Sequence, residues 1–222
     1  MSRISTYGCI AFIVTLCSSS LFAGDFGSAN LKQGVSCELR VKERYQFYNI
    51  TGKTPDDLRK QMKQNGTKWN DGIVYSAQTT WDIHFSYDVS RENGRYGVKS
   101  ANTRLEIIYY LPRMVATDAD PELTLLWHDY LGCLQSHEFG HKDIAVKTAT
   151  EINEILASIP SYQTEDELAQ EITRRTEEKF KRLKDSQVEY DHETRHGETQ
   201  GAILRSAPAP RYAGAMDITK HD

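Results

Sequence analysis

Between Ser136 and His141 the chain reads Ser-His-Glu-Phe-Gly-His. No other stretch constrains the fold as much. Two histidines four residues apart share a face on a helix, where they can reach one ion together. Glu138 stands beside the first of them and can lean toward an open coordination position, there to take a proton from water. His137 and His141 are therefore candidate zinc ligands and Glu138 a candidate general base. Leu134, His137, His141, Ile144, Thr148, Ile152 and Ile155 recur at spacings of three and four, so both histidines lie in line with an apolar stripe and face other protein. Bare imidazoles in such a place are costly, and a metal offsets that cost. Gly140, a poor helix former, leaves room for another segment to come close.

The flanking sequence is helical. Asp120-Pro121-Glu122 caps a first segment with Leu123, Leu126, Trp127 and Tyr130 on its apolar face. Gly132 predicts a bend before the histidine helix, which runs to about Ser158 and stops at Pro160. Thr164 and Glu167 form a capping box that opens a long helix with Leu168, Ile172, Thr176, Phe180 and Leu183 inward. Two helices joined by a short turn pack antiparallel, which brings the end of the second close to His137. That end reads Tyr190-Asp191-His192-Glu193-Thr194-Arg195-His196-Gly197, with Gly197 as terminator. It is placed to supply a third ligand, from Asp191, His192 or His196; the two histidines, four apart, share a helical face only if the helix persists through Gly197. Ile144 and Lys147 stand where the metzincin pattern wants glycine and histidine, so that pattern is excluded. Glu171, at mid-helix, falls far from the level of His137.

The N-terminal half alternates instead. Cys37, Leu39 and Val41 oppose Glu38, Arg40 and Lys42, and Tyr45–Ile50 continues extended. Thr54-Pro55-Asp56-Asp57 starts a helix that ends at Asn65-Gly66. Two further strands follow, one from Ala77 to Tyr87 and one from Leu105 to Leu111, with a long polar connection between them. Both are candidates to receive an extended peptide along an exposed edge. His84, two residues after Asp82 on the polar face, is solvated, a further metal ligand or a substrate contact.

Arg3, the apolar run Cys9–Leu16 and Leu21-Phe22-Ala23 predict a signal peptide over residues 1–23, hence a secreted or periplasmic protein. The remaining Cys37 and Cys133 predict a disulfide in such a compartment. A formal net charge of −4 without a long basic patch argues against nucleic acid, and no stretch reads as a membrane span. Residues 24–202 suit one domain, and Pro- and Ala-rich residues 203–222 read as a flexible tail.

Tyr190-Asp191-x-x-Thr194-x-His196-Gly197, following a His-Glu-x-x-His helix by some fifty residues, resembles the second motif of a bacterial family of uncharacterised secreted proteins described as zinc-dependent proteases. Tyr48-x-x-x-Gly52-Lys53-Thr54, Thr80-Trp81 and Leu111-Pro112 resemble its N-terminal half, so the similarity spans roughly residues 37–202. The resemblance implies a zincin-like α+β fold, in which a small antiparallel sheet and one helix precede the helices that carry the site. It implies one Zn2+ per chain on His137, His141 and His196. Asp191 would orient a ligand histidine or itself be the third ligand. Tyr190 or Arg195 would stabilise an oxyanion. The expected activity is hydrolysis of a peptide or protein substrate. The alternative is a non-catalytic extracytoplasmic module whose zinc holds its helices together.

Overall fold

The computed structural model describes residues 35–69, 72–115 and 120–206. The expected signal peptide and most of the expected tail lie outside these residues. Within them the architecture is α+β, with a three-stranded sheet covered on one face by a pair of long helices.

Strand β1 (Ser36–Ile50) is followed by helix α1 (Pro55–Asn65) and two short strands, β2 (Thr67–Lys68) and β3 (Val74–Tyr75), which pair with each other. Strands β4 (Gln78–Glu92) and β5 (Arg95–Met114) then form a hairpin. The sheet order is β1-β5-β4, with β1 parallel to β5 and β4 antiparallel to it. The sheet is therefore mixed, where the sequence predicts an antiparallel one. β1 and β4 finish and start at the same end of the sheet, with Ile50 paired to Met114 and Gln78 to Tyr110. α1 and the β2–β3 ribbon connect them there. The hairpin then inserts β5 in the middle, beside β1 and pointing the same way.

The long connection expected between β4 and β5 is a two-residue turn. Asn93 and Gly94 both take positive φ, 50° and 78°, as a turn matched to the twist of a hairpin requires. Asn-Gly is the strongest short hairpin signal, and it stands in the sequence.

Helix α2 (Pro121–Ser158) runs without a break through Gly132, contrary to the expected bend. A Cβ at Gly132 would meet open space. Glycine costs a helix about 1 kcal/mol relative to alanine, and the packed residues on either side keep it helical. Ala145, Ala149, Ile152 and Leu156 press onto the inner face of β5, where Leu105, Ile107, Tyr109 and Leu111 are fully buried. Helix α3 (Glu165–Thr194) opens with the Thr164–Glu167 capping box and returns along α2, burying Leu168, Ile172, Thr176 and Leu183.

Cys37 and Cys133 are both free, which corrects the expected disulfide. Cys37 pairs with Ala101, two residues from Thr103, whose hydroxyl bonds Asn153 of α2. Cys133 lies twenty residues before Asn153 on the same helix, about 30 Å away at 1.5 Å per residue. A disulfide needs Cα atoms within about 7 Å.

Candidate functional site

His137, Glu138 and His141 sit in the middle of α2 and are buried, at 3 %, 3 % and 9 % exposure. Opposite them stands the last turn of α3. Asp191 Oδ1 lies 3.2 Å from His137 Nε2 and 3.0 Å from His141 Nε2, and the two Nε2 atoms are 3.3 Å apart. Among the described residues, these three side chains form the group that can hold a metal ion.

The outer nitrogens of both imidazoles are held as well. His137 Nδ1 meets Gln200 Oε1 at 3.1 Å, and His141 Nδ1 meets Gln187 Oε1. The Gln187 amide also donates to His141 O at 3.0 Å. Amide oxygens at Nδ1 put a ring N–H there; with the proton off Nε2, both Nε2 lone pairs would face the Asp191 side, the arrangement that metal-ligating histidines adopt. Asp191 is held below the usual carboxylate range. Burial works in the opposite sense, but the bonds from His137 and His141 and the neighbouring positive charge outweigh it. His141 is lowered by its own burial yet raised overall by the Asp191 hydrogen bond and charge.

Glu138 points to the other wall. Burial pushes its carboxyl up, partly offset by the Thr79 hydroxyl, which donates to Oε2 at 2.6 Å. Thr79 is the second residue of β4, so the sheet fixes the orientation of the acid. Trp69, Val74–Thr79, Leu134, Gln187, Val188, His192, Arg195 and Ala202 join the cluster in lining a cleft of about 690 Å³.

α3 ends at Thr194, and Arg195 and His196 follow in left-handed conformation with φ 50° and 53°. For such residues this conformation costs roughly 1–2 kcal/mol each. It turns the His196 ring against Tyr75, with Nδ1 3.3 Å from Asp191 Oδ1 and the side chain 55 % exposed. His196 thus touches Asp191 from outside the triangle of His137, His141 and Asp191. His192 is exposed and, because the helix has ended, does not share a helical face with His196. Gly197 has φ 87°, and a Cβ there would stand 3.1 Å from His137 Cβ and Cγ. Only glycine combines that backbone with that approach.

Residues 45–197 match the family described as "Bacterial protein of unknown function (DUF922)". The chain belongs to this family. No curated protein and no solved structure matches it. The match ends at Gly197, where the loop turns back on His137, so both motifs of the site fall inside it.

The remaining expected site residues lie as follows. Arg195 is exposed on the cleft rim. The Tyr190 hydroxyl turns to His137 O and Gln200, and Tyr190 is not among the residues lining the cleft. His84 bonds Asp82 at 2.7 Å on the opposite side of β4 from Thr79. Three contributors, Thr79, Gln187 and Gln200, carry no motif that marks them as part of the site, and Gln200 carries no signature at all. Gln187 had a faint one, because it precedes Asp191 by four and so shares its helical face. Thr79 was legible as an inward strand residue, but nothing in a single strand names the helix residue it meets.

Proposed function

We propose that the protein is a secreted or periplasmic zinc-dependent metallopeptidase with a zincin-like catalytic domain. The observation that carries this reading is the triangle of His137 Nε2, His141 Nε2 and Asp191 Oδ1, with a buried carboxylate next to it. Zinc holds its nitrogen and oxygen ligands at about 2.0–2.1 Å in tetrahedral array, so neighbouring donors stand about 3.3–3.4 Å apart. The three separations, 3.0 to 3.3 Å, lie at or a few tenths of an ångström below that edge. Two imidazoles and one carboxylate are also a known catalytic set for zinc. When bound, zinc lowers the pKa of a coordinated water to about 7 and polarises a carbonyl.

The chain's own residues supply the rest. Thr79 occupies Glu138 Oε2, which leaves Oε1 to take a proton from the attacking water and pass it to the departing amine. Gln187 and Gln200 keep the two imidazoles in one tautomer and one orientation. β4 is an edge strand and its first residues line the cleft. An extended peptide adding along it would bring its scissile carbonyl past Glu138. β5 is paired on both sides, which removes it as a candidate edge.

A second reading rests on His196. If its ring swings onto the metal as a fourth donor, the site is closed and the zinc is structural. Its contact with Asp191 favours that reading, and its exposure opposes it.

Glu138→Gln separates the two. The glutamine is nearly isosteric and cannot accept and return a proton. The expected outcome is one zinc per chain in both proteins by metal analysis, peptide-library hydrolysis by the wild type, and a loss of about 10² to 10⁴ in rate for the variant. Wild-type activity surviving in Glu138→Gln refutes the mechanism. A zinc-loaded wild type that cleaves no peptide supports the structural reading.

A further inference from the structure

Tyr190 is the first residue of the second motif, and the peptidase reading leaves it without a task. Its ring lies flat on His137, with centroids 5.0 Å apart and planes 9° from parallel. The same ring meets the edge of His141 at 5.0 Å and 88°. It therefore touches both imidazoles at once, from the α3 side. Its hydroxyl is anchored at the far end, donating to His137 O at 3.3 Å and accepting from Gln200 Nε2 at 3.0 Å. Gln200 in turn holds His137 Nδ1. Thr194 fastens the ring's own backbone, its hydroxyl donating to Tyr190 O at 2.6 Å.

The ring reaches this position over a gap in α2. A Cβ at Gly140 would land on the Tyr190 hydroxyl and Cζ, and 2.8 Å from Cε1. The whole outer half of the ring would have to move, not only a flexible tip. Glycine inside a helix is otherwise unfavourable. At Gly140 the missing side chain is the seat of the tyrosine.

We infer that Tyr190 is a positioning residue for the metal site, seated in the gap at Gly140 and holding the rings of His137 and His141 in the orientation that binds the ion. This builds on the proposed metal site and on no part of the hydrolysis. Partners that orient ligands cost about 10–100-fold in metal affinity when removed.

The test is a zinc competition titration against a chromophoric chelator, with the cobalt(II) absorption spectrum as a second readout. Four proteins join the wild type: Tyr190→Phe, Tyr190→Ala, Gly140→Ala and the double variant Tyr190→Ala/Gly140→Ala. Tyr190→Phe keeps the ring and is expected within about threefold of wild type. Tyr190→Ala and Gly140→Ala each weaken zinc by about 10–100-fold and shift the cobalt bands. The double variant is expected to bind no more weakly than Tyr190→Ala, because the added methyl then enters empty space. In that background Gly140→Ala should also raise the melting temperature of the zinc-free protein, as alanine does in an ordinary helix. Tyr190→Ala binding zinc as tightly as wild type overturns the inference. So do additive losses in the double variant, since they would mean that the two residues act apart. A wild type without zinc would instead refute the metal site itself. Circular dichroism of each variant checks the fold, and a Tyr190→Ala protein that fails to fold leaves Gly140→Ala and Tyr190→Phe to decide by the same criteria.

Discussion

The same two helices make two different contacts. Where Ile152 and Leu156 of α2 lie near Leu168 and Ile172 of α3, the interior is apolar and each of these side chains is almost fully buried. Some fifteen residues nearer the start of α2, the facing groups are His137, His141, Gln187, Tyr190 and Asp191, and nearly every buried polar atom has a named partner. The first contact gains from removing surface from water, about 25 cal/mol per Å². The second is close to neutral by that measure, because each polar group gives up water to meet another polar group. One end of the pair carries the stability, and the other gathers the polar groups that can hold a metal ion.

Four substitutions break or sharpen that division. Leu156→Ala removes a fully buried side chain from the apolar end. It should cost about 2–5 kcal/mol in chemical denaturation, while the zinc affinity of the folded protein stays near wild type. A large loss of affinity would show that the two ends are coupled. Asp191→Ala acts at the polar end. It should weaken zinc by more than the 10–100-fold expected for an outer partner, and by more than His196→Ala does. Equal losses for His196→Ala in the titration would return His196 to the ligand set. Thr79→Val deletes the hydroxyl on Glu138 without changing shape. A fall of about 10- to 100-fold in kcat is expected, given the 1.5–3 kcal/mol of a hydrogen bond to a charged group, with KM and zinc content unchanged and Thr79→Ser close to wild type. His84→Ala lies off both ends. It should change stability by less than about 0.5 kcal/mol and leave zinc binding alone.

What the sequence disclosed follows the same line between local and distant causes. The caps at Thr54, Asp120 and Thr164 are local chemistry, and each stands at the first turn of a helix as read. The alternation of Ala77–Tyr87 is local as well, and Ala77, Ile83 and Tyr87 are buried. The partner of β1 is not local. Alternation tells which face is inside and says nothing of which strand lies alongside, so the parallel pairing could not be read. Gly132 misled because its intrinsic cost was weighed without the packing around it. The third member of the metal group was narrowed to a few residues and no further. Asp191 and His196 are five apart, and the choice turns on α3 ending at Thr194. Asp191 is inside the last helical turn facing α2, and His196 is two residues beyond that turn.

β1 has a consequence for the order in which the molecule can form. Every residue of β1 pairs with one 64 positions later, from Ser36 with Ser100 to Ile50 with Met114. β4 and β5 meet across a turn of two residues. Closing the short loop loses far less chain entropy than closing the long one. Hairpins of this kind form in about 1–10 μs, whereas the edge strand must wait for a template. The hairpin is that template, with β5 offering its open side. Contacts of β1 therefore belong to the late part of folding, and weakening them should speed unfolding more than it slows folding. On that account the hairpin that offers the edge next to the cleft of His137, Glu138 and His141 is assembled first, and the opposite rim of the sheet is completed last.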